Sequence, residues 1–531
     1  MERTWATYGL GGDGSTATAT DRPAATDRAT ATDTDRATAT DTDTATDRVT
    51  AADTAAAVGA DLHLDLAGPG GRGVRAALTR ALREAVRSGR LAPGVRLPSS
   101  RSLAVDLGLA RNTVADAYGE LVAEGWLTAR QGSGTRVARR TAPVPRQPGA
   151  YRTAPHRVAA RPVHDLRCGA ADVSAFPRAA WLSAARRAMT AAPHEAFGYG
   201  DGQGRPELRA VLADYLARAR GVRADPERIV VCAGFTQGLA LLGRVLRGRG
   251  VSGMGVESYG LWVHHEVVER AGLRPVPLPL DESGAVVGGL ESGDGPGAVL
   301  LTPAHQFPTG VPLHPDRRAA VVGWASRTGG LIVEDDYDGE FRYDRQPVGA
   351  LQGLAPEHVV YCGTASKALA PGVRLAWLVL PEHLLGDVVE LRRTGEWGIS
   401  VLDQLTLAEF IDAGAYDRHV RSMRLRYRRR RDQLVAALAT HAPHVRVTGI
   451  AAGLHVVLEL PPGTERSTVQ AAAWRGLALE GLSRFRRPAA PPALTAAPGP
   501  GDGLIVGYGT PPDHAFSGAL EALLSVLPPA D

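Results

Sequence analysis

The chain has 531 residues, of which 44% are hydrophobic and 22% charged, so it is long enough for two or three domains with sizeable cores. Its net charge of +4 is too small to indicate nucleic-acid binding by composition, so the distribution of charge must decide. Three scattered cysteines exclude a disulfide framework and predict no metal site, and without an apolar run of membrane-spanning or signal-peptide type we expect a cytoplasmic protein.

The first part of the chain, residues 1–69, is predicted to be a disordered, low-complexity tail. A Thr/Ala/Asp/Arg repeat with almost no large apolar side chain occupies most of it, from about residue 13 to residue 57. Such a segment cannot bury enough apolar surface to offset the entropy lost on ordering. We therefore expect folded structure only beyond it.

The pattern then changes to three helices and a hairpin. Apolar residues at helical spacing begin at Val74, and a short second helix is capped by Ser99 or Ser100. A third helix is predicted over 109–125, and two short strands over 126–138 flank a Gly-x-Gly tip. This order is typical of a winged helix-turn-helix, in which the last helix enters the major groove and the hairpin tip meets phosphate.

Several polar side chains of this unit would face DNA. Arginine suits guanine edges and asparagine suits adenine edges, whereas hydroxyl groups bond phosphates. A small helical packing domain whose polar face is merely hydrated is the alternative interpretation. The candidate DNA-binding residues are Ser99, Ser100, Arg101, Arg111, Asn112, Thr113, Gly132, Gly134 and Arg136.

Three stretches favour the DNA-binding interpretation: Leu97-Pro-Ser-Ser-Arg-Ser-Leu-Ala, Arg111-Asn-Thr-Val and Gly132-Ser-Gly-Thr-Arg-Val. Through them residues 70–138 resemble the winged helix-turn-helix domain of the GntR family of transcription regulators. Ala110 departs from the family pattern, which usually has Ser or Thr there. The resemblance implies binding to operator DNA.

The rest of the chain indicates a linker and a larger domain. Residues 139–163, with several prolines and arginines, are predicted to be extended. From 164 to 531, apolar strands alternate with helical patterns, which indicates an α/β domain with a mainly parallel sheet. An arginine-rich helix within 405–438 presents either a DNA-facing stripe or a solvated face. The predicted strands are 229–233, 299–302, 331–334, 359–362 and 375–380.

Lys367 is the only lysine, since all other members of the 60 Lys+Arg are arginine. A guanidinium stays protonated and is a poor nucleophile, so a primary amine that forms a Schiff base is the chemistry that requires lysine. Thr364 and Ser366 precede it and Arg374 follows it. Because hydroxyls and arginine bind phosphate, we predict a cofactor with both an aldehyde and a phosphate, pyridoxal 5'-phosphate (PLP).

PLP also needs a carboxylate at its pyridine nitrogen, a donor at its phenolic oxygen and a phosphate cup. The acidic stretch 334–338 follows one predicted strand, and Tyr337 within it can be the donor. The turn 234–237 follows another strand and opens a helix, so its amide groups can bind phosphate. The predicted phosphate-binding residues are Phe235, Thr236, Thr364, Ser366 and Arg374.

The stretches 199–204, 302–310, 333–341 and 363–374 resemble fold-type I aminotransferases of class I/II. Together with the N-terminal unit, they make the chain similar to the MocR/GabR subfamily of regulators. The resemblance implies a homodimer.

Carried onto this sequence, the resemblance assigns individual roles. Lys367 is the Schiff-base lysine, Asp335 the partner of the pyridine nitrogen, and Arg374 a phosphate ligand. Tyr337 bonds the phenolic oxygen, and Tyr199 reaches the phosphate across a dimer interface.

Two departures bear on activity. Phe307 stands where aminotransferases usually have an asparagine that bonds the phenolic oxygen, which predicts at most weak transaminase activity. The second is the stretch 257–262, Glu-Ser-Tyr-Gly-Leu-Trp, which departs from the family's usual Glu-Asp-Pro-x-Tyr. The resemblance implies that Tyr259 in this stretch stacks on the cofactor ring. Arg484 is the candidate for binding an effector carboxylate.

The sequence therefore predicts a PLP-dependent transcription regulator. Its winged helix would bind operator DNA, and its second domain would sense PLP or an amino compound through imine chemistry at Lys367. One alternative is an active PLP-dependent aminotransferase with an accessory DNA-binding domain. Another is a regulator that has lost PLP, but that would not explain why one lysine is retained where every other basic residue is arginine.

Overall fold

The computed structural model describes residues 73–139, 162–198, 200–291, 295–343, 348–395, 398–487 and 501–529. The chain divides into two compact units, Met1–Arg152 and Thr153–Asp531. The predicted tail, most of the predicted linker and Tyr199 lie outside the described residues. The domain limits proposed from the sequence stay predictions.

The N-terminal unit has three helices followed by a hairpin. Ser99 caps the second helix, because its side chain accepts a hydrogen bond of 3.0 Å from the Ser102 amide. Gly108 ends that helix with φ 64°, a conformation that favours glycine. The elements are α1 (Val74–Arg87), α2 (Ser100–Leu107), α3 (Arg111–Ala123), β1 (Leu127–Arg130) and β2 (Gly134–Val137).

Apolar side chains at helical spacing join these elements. Leu78 and Leu82 of α1 pack with Val114 and Leu121 of α3, and Leu127 of β1 closes the same core. The two strands pair antiparallel from Leu127 opposite Val137 to Arg130 opposite Gly134. The winged helix-turn-helix predicted from the sequence therefore has a core of its own.

The larger unit contains ten helices among its described residues. They are α4 (Arg178–Ala191), α5 (Pro206–Arg220), α6 (Phe235–Gly248), α7 (Trp262–Arg270), α8 (Pro315–Thr328), α9 (Glu382–Gly395), α10 (Val401–Asp412), α11 (Ala415–His441), α12 (Glu465–Trp474) and α13 (Phe516–Leu524).

Its strands include several very short ones. They are β3 (His164–Asp165), β4 (Ile229–Cys232), β5 (Gly253–Glu257), β6 (Arg274–Leu278), β7 (Leu280–Asp281), β8 (Gly284–Ala285), β9 (Ala298–Leu301), β10 (Leu331–Asp335), β11 (Val359–Thr364), β12 (Ala376–Val379), β13 (Arg446–Thr448), β14 (Val456–Glu459), β15 (Leu477–Ala478), β16 (Glu480–Gly481) and β17 (Gly503–Val506).

A seven-stranded sheet of order β4-β12-β11-β10-β9-β5-β6 forms the centre of this unit. Only β12 runs antiparallel to its neighbours. Successive residues of β4 belong to different cores: Val231 lies in one cluster and Val230 in another. Both faces of the sheet are therefore covered, which explains why its strands read as continuous apolar runs. The predicted α/β class is confirmed.

A smaller antiparallel sheet, β13-β14-β17-β16, packs with α11, α12 and α13 around a separate core. The arginine-rich segment lies on α11, and its arginines are not equivalent. Arg430 is buried and bonds Asp172 at 2.9 Å and Asp513 at 2.7 Å, whereas Arg428 and Arg429 are exposed. Neither sequence interpretation predicted that one arginine of this helix is buried and bonds to two distant aspartates.

Candidate functional site

A cavity of about 230 Å³ opens where the carboxyl ends of β5, β10 and β11 meet the amino end of α6. Ligands of open α/β sheets bind at this edge. Every predicted cofactor residue that the structure describes lines it: Phe235, Thr236, Tyr259, Asp335, Tyr337, Thr364, Ser366, Lys367 and Arg374. The sheet topology thus brings together side chains that are far apart in sequence.

Lys367 follows β11 and reaches the cavity. Its Nζ donates a hydrogen bond to the Gly169 carbonyl. Burial lowers the pKa of Lys367, and nearby Asp335 partly opposes that effect. A lowered pKa increases the share of neutral amine, which is the nucleophilic form.

Asp335 and Asp336 are neighbours in sequence with different surroundings. Asp336 forms a buried pair with Arg220, with N–O distances of 2.6 and 2.9 Å, and accepts a bond of 2.8 Å from the Tyr361 hydroxyl. Asp335 is 6% exposed and lines the cavity, and its carboxyl has no hydrogen-bond partner within the described ranges. Burial raises the pKa of Asp335, an effect that Lys367 opposes. Asp335 is therefore the carboxyl group available to a ligand.

Tyr337 lines the cavity, and its hydroxyl lies 3.0 Å from Nδ1 of His305. That same Nδ1 lies 2.8 Å from Oδ2 of Asp338. The Phe307 ring packs edge-on against Tyr337 at 5.9 Å between centroids. The predicted donor thus contacts a buried histidine that in turn contacts a buried aspartate, and the sequence had singled out neither.

A cradle of backbone and cationic groups lies at the amino end of α6. Gly234 has φ 112°, and a Cβ there would lie 3.1 Å from the Arg374 guanidinium, so only glycine lets the arginine approach the helix terminus. Arg374 has a positive φ of 54°, and no other non-glycine residue that the structure describes has a positive φ. The Thr364 hydroxyl donates to Oγ of Ser366 at 3.0 Å. Helix amides, two hydroxyls and an arginine are an anion-binding set.

Other cavity residues were missed by sequence reasoning. Glu257 ends β5 and accepts a hydrogen bond of 2.6 Å from the Thr302 hydroxyl. Burial, opposed by hydrogen bonds, raises the pKa of Glu257 to about 7. Burial lowers the pKa of His264 and of His455 to about 3, so both imidazoles are neutral. Glu257 ends a strand that the sequence did not predict, and the histidines carried no signal.

The predicted effector residue lies elsewhere. Arg484 is not among the cavity-lining residues, its side chain is 62% exposed, and its Nε lies 3.4 Å from Oε1 of Glu480. Tyr259, the predicted stacking residue, does line the cavity; it is buried, and its backbone pairs with that of Arg486 in an isolated antiparallel bridge. The role of Arg484 stays a prediction.

In the N-terminal unit, Arg101, Arg111 and Asn112 are exposed at the first turns of α2 and α3, and Thr113 is half-buried. Ser100 begins α2, and the Ser99 oxygen is engaged as its cap. At the hairpin, Gly132 and Gly134 have φ of 83° and 76°, and the Arg136 guanidinium donates to the Gly94 carbonyl at 3.1 Å. Exposed arginine and asparagine at a helix start can reach base edges in the major groove.

PLP would fit the cavity on structural grounds. Asp335 is a buried carboxyl group to which no described residue donates a hydrogen bond, and the Gly234–Arg374 cradle would be filled by a single Cβ. Lys367 supplies an amine within the same cavity. These are the groups that an aldehyde, a pyridine nitrogen and a phosphate require.

Family profiles match both units. The family described as "Bacterial regulatory proteins, gntR family" matches residues 75–137. The family described as "Aminotransferase class I and II" matches residues 166–492. The two matches agree with the predicted order of domains.

Two regulators are identical to this chain at about a third of the aligned residues. The HTH-type pyridoxine biosynthesis transcriptional regulator PdxR of Corynebacterium glutamicum is 33% identical over 82% of this chain and 91% of its own. The probable rhizopine catabolism regulatory protein MocR of Rhizobium meliloti is 32% identical over 81% of this chain and 89% of its own. An archaeal alanine:glyoxylate aminotransferase of known structure aligns with a TM-score of 0.61 at 24% identity, covering 68% of this chain and 90% of its own, which shows the fold. No described helix has the length and apolar character needed to cross a membrane.

Proposed function

The chain belongs to the MocR type of GntR-family transcription regulators, and from that premise we propose that it regulates transcription through PLP held at Lys367. It is an HTH-type regulator with an aminotransferase-like domain. The observation that carries the proposal is the cavity in which the only lysine, the buried Asp335 and the Gly234–Arg374 cradle come together.

Each side chain has a defined task in this proposal. Bound through its aldehyde to an amine, PLP supplies a visible chromophore and a ring that withdraws electrons. Lys367 provides the amine, and Asp335 bonds the pyridine nitrogen. Arg374, Thr364 and Ser366 hold the phosphate together with the α6 amides. Tyr337 donates to the phenolic oxygen.

DNA binding belongs to the N-terminal unit. Arg111 and Asn112 would meet base edges from the start of α3, while Arg136 and the glycine tip would meet phosphate. Their exposure supports this assignment. The signal would be PLP itself or an amino compound that competes with Lys367 for the PLP aldehyde. Such a ligand shifts the DNA-bound population only by its differential affinity for the two states.

A homodimer of the larger unit completes the proposal. Leu182, Met189, Phe197 and Leu402 are 68%, 53%, 50% and 41% exposed. They lie on α4, on the turn after it and on α10, elements that share a small apolar cluster. A set of exposed apolar side chains supports an interface between copies. Phe197 is close in sequence to Tyr199, which was predicted to act across such an interface.

The test combines spectroscopy with DNA selection. Purified full-length protein is loaded with PLP, reduced with borohydride and digested, and we expect the modified peptide to contain Lys367. Sites selected from random DNA with and without PLP should then differ in affinity. A trapped cofactor without sequence-specific DNA binding would favour an aminotransferase, which steady turnover of an amino donor with a keto acid would establish. Absence of any trapped cofactor would overturn the proposal.

A further inference from the structure

A buried histidine–aspartate pair stands behind the Tyr337 hydroxyl. Tyr337 lines the cavity, whereas His305 and Asp338 are not among its lining residues, and both are 3% exposed. Nδ1 of His305 lies 3.0 Å from the Tyr337 hydroxyl and 2.8 Å from Oδ2 of Asp338. Asp338 is also among the groups that raise the pKa of Tyr337, after burial. The positions of the hydrogens in this network therefore decide whether the Tyr337 O–H can donate to a ligand in the cavity.

The hydrogen on His305 follows from its partner. An ionised carboxylate only accepts, so Nδ1 must carry the hydrogen in order to bond Asp338. The Tyr337 oxygen can share that hydrogen as a second acceptor, which leaves its own O–H free to point at an acceptor in the cavity. Burial, reinforced by Asp338, raises the pKa of Tyr337, so the phenol keeps this hydrogen.

Packing holds the pair in place. Gly453 has φ 70°, and a Cβ there would lie 2.3 Å from Cε1 of His305 and 2.4 Å from Oδ2 of Asp338. Only glycine permits this approach. The neighbouring His455 ring, 5.1 Å away between centroids, is tied through Nε2 to the Pro308 carbonyl at 3.0 Å. The titratable groups acting on Tyr337 and Lys367 are Asp335, Asp338, Cys168, His264, His305 and His455.

We infer that Asp338 and His305 are positioning residues that hold Tyr337 as a hydrogen-bond donor toward the cavity. The inference rests on the proposed function, because the acceptor is the phenolic oxygen of PLP. An uncharged amide at position 338 no longer holds the ring hydrogen on Nδ1, so that hydrogen could move to Nε2. Nδ1 would then accept the Tyr337 hydroxyl and draw it away from the ligand.

The test is a pH titration of the visible chromophore in PLP-loaded, full-length protein. A donor on the phenolic oxygen stabilises the negative oxygen of the deprotonated chromophore, so losing the donor should raise the titration midpoint. We expect Tyr337→Phe and Asp338→Asn each to raise it by about one pH unit. The double variant should show no further rise, because both changes remove the same hydrogen bond.

A purely electrostatic role for Asp338 predicts the opposite sign. Its negative charge favours the protonated form at Lys367, so removing that charge alone would lower the midpoint. A lowered or unchanged midpoint in Asp338→Asn, or additive rises in the double variant, would overturn the inference.

Thermal melting and DNA binding monitor the fold of each variant. If Asp338→Asn does not fold, His305→Ala replaces it, and an unchanged midpoint there would equally contradict the inference. A wild-type protein without a chromophore would contradict the proposed function instead, so the two failures are distinguishable.

Discussion

The two units present their candidate functional groups in opposite ways. In the N-terminal unit, Arg101, Arg111 and Asn112 are exposed to solvent, where salt screens charges and neighbouring sites act nearly independently. In the larger unit, Lys367 and Asp335 share a buried cavity and shift each other's pKa. We therefore expect graded effects from substitutions in the first unit and strongly coupled effects in the second.

The largest effect tests the buried side of this contrast. Lys367→Arg should abolish covalent attachment of PLP completely, since a guanidinium keeps the positive charge but does not form the linkage. Absorbance and borohydride trapping measure the loss, and circular dichroism should show an unchanged fold. DNA selected by the wild type should still bind. A visible PLP chromophore that persists in this variant would contradict the assignment of Lys367.

The next effect separates two adjacent carboxyl groups. Asp336→Ala should lower the free energy of unfolding by about 3–5 kcal/mol, because it leaves Arg220 buried without its partner. Asp335→Ala should leave stability nearly unchanged but weaken PLP retention about 10–100-fold, the value of a hydrogen bond to a charged group. Denaturation curves and PLP dialysis measure the two quantities. If Asp336→Ala alone released PLP from a folded protein, the roles would be reversed.

The exposed side is tested by Arg111→Ala. We expect a loss of about 1–3 kcal/mol in binding to selected DNA sites, together with relaxed preference at one base pair. Unfolding should be unaffected, since the side chain is exposed. Titrations on selected and random DNA at fixed salt provide the comparison. Equal losses on both would make Arg111 a phosphate contact.

The smallest effect lies at the helix cap. Ser99→Ala should destabilise the N-terminal unit by about 1 kcal/mol, because α2 loses the acceptor for the Ser102 amide. Ser99→Asp keeps that acceptor and adds a negative charge, so it should restore stability yet weaken DNA binding if Ser99 lies near phosphate. Melting curves and DNA titrations distinguish the two roles. Full DNA binding by Ser99→Asp would show that the residue is only a cap.

The secondary structure of both units and the role of the lysine were predictable from the sequence, because they depend on local patterns and on residue type. The N-terminal elements follow from helical spacing, caps and a glycine-rich tip, all of which act over a few residues. Each of the five predicted strands coincides with a strand of the central sheet. The single lysine could be assigned to imine chemistry by its residue type alone.

What could not be predicted depends on long-range packing. The strand Gly253–Glu257 has two glycines and no clear pattern, yet all five of its residues are buried between β9 and β6, and it ends at the cavity. His305 and Asp338 meet because separate loops fold together. Adjacent acidic residues carry no sign of which one Arg220 will neutralise, since that partner lies far away in sequence.

The solitary lysine also has a practical consequence. Every amine-directed acylating reagent has one side chain in the whole chain with which it can react. The extent of acylation at Lys367 therefore measures how much of the protein has its cavity amine free. Without any engineered label, mass spectrometry of that one peptide would report cofactor occupancy in a mixed population of molecules.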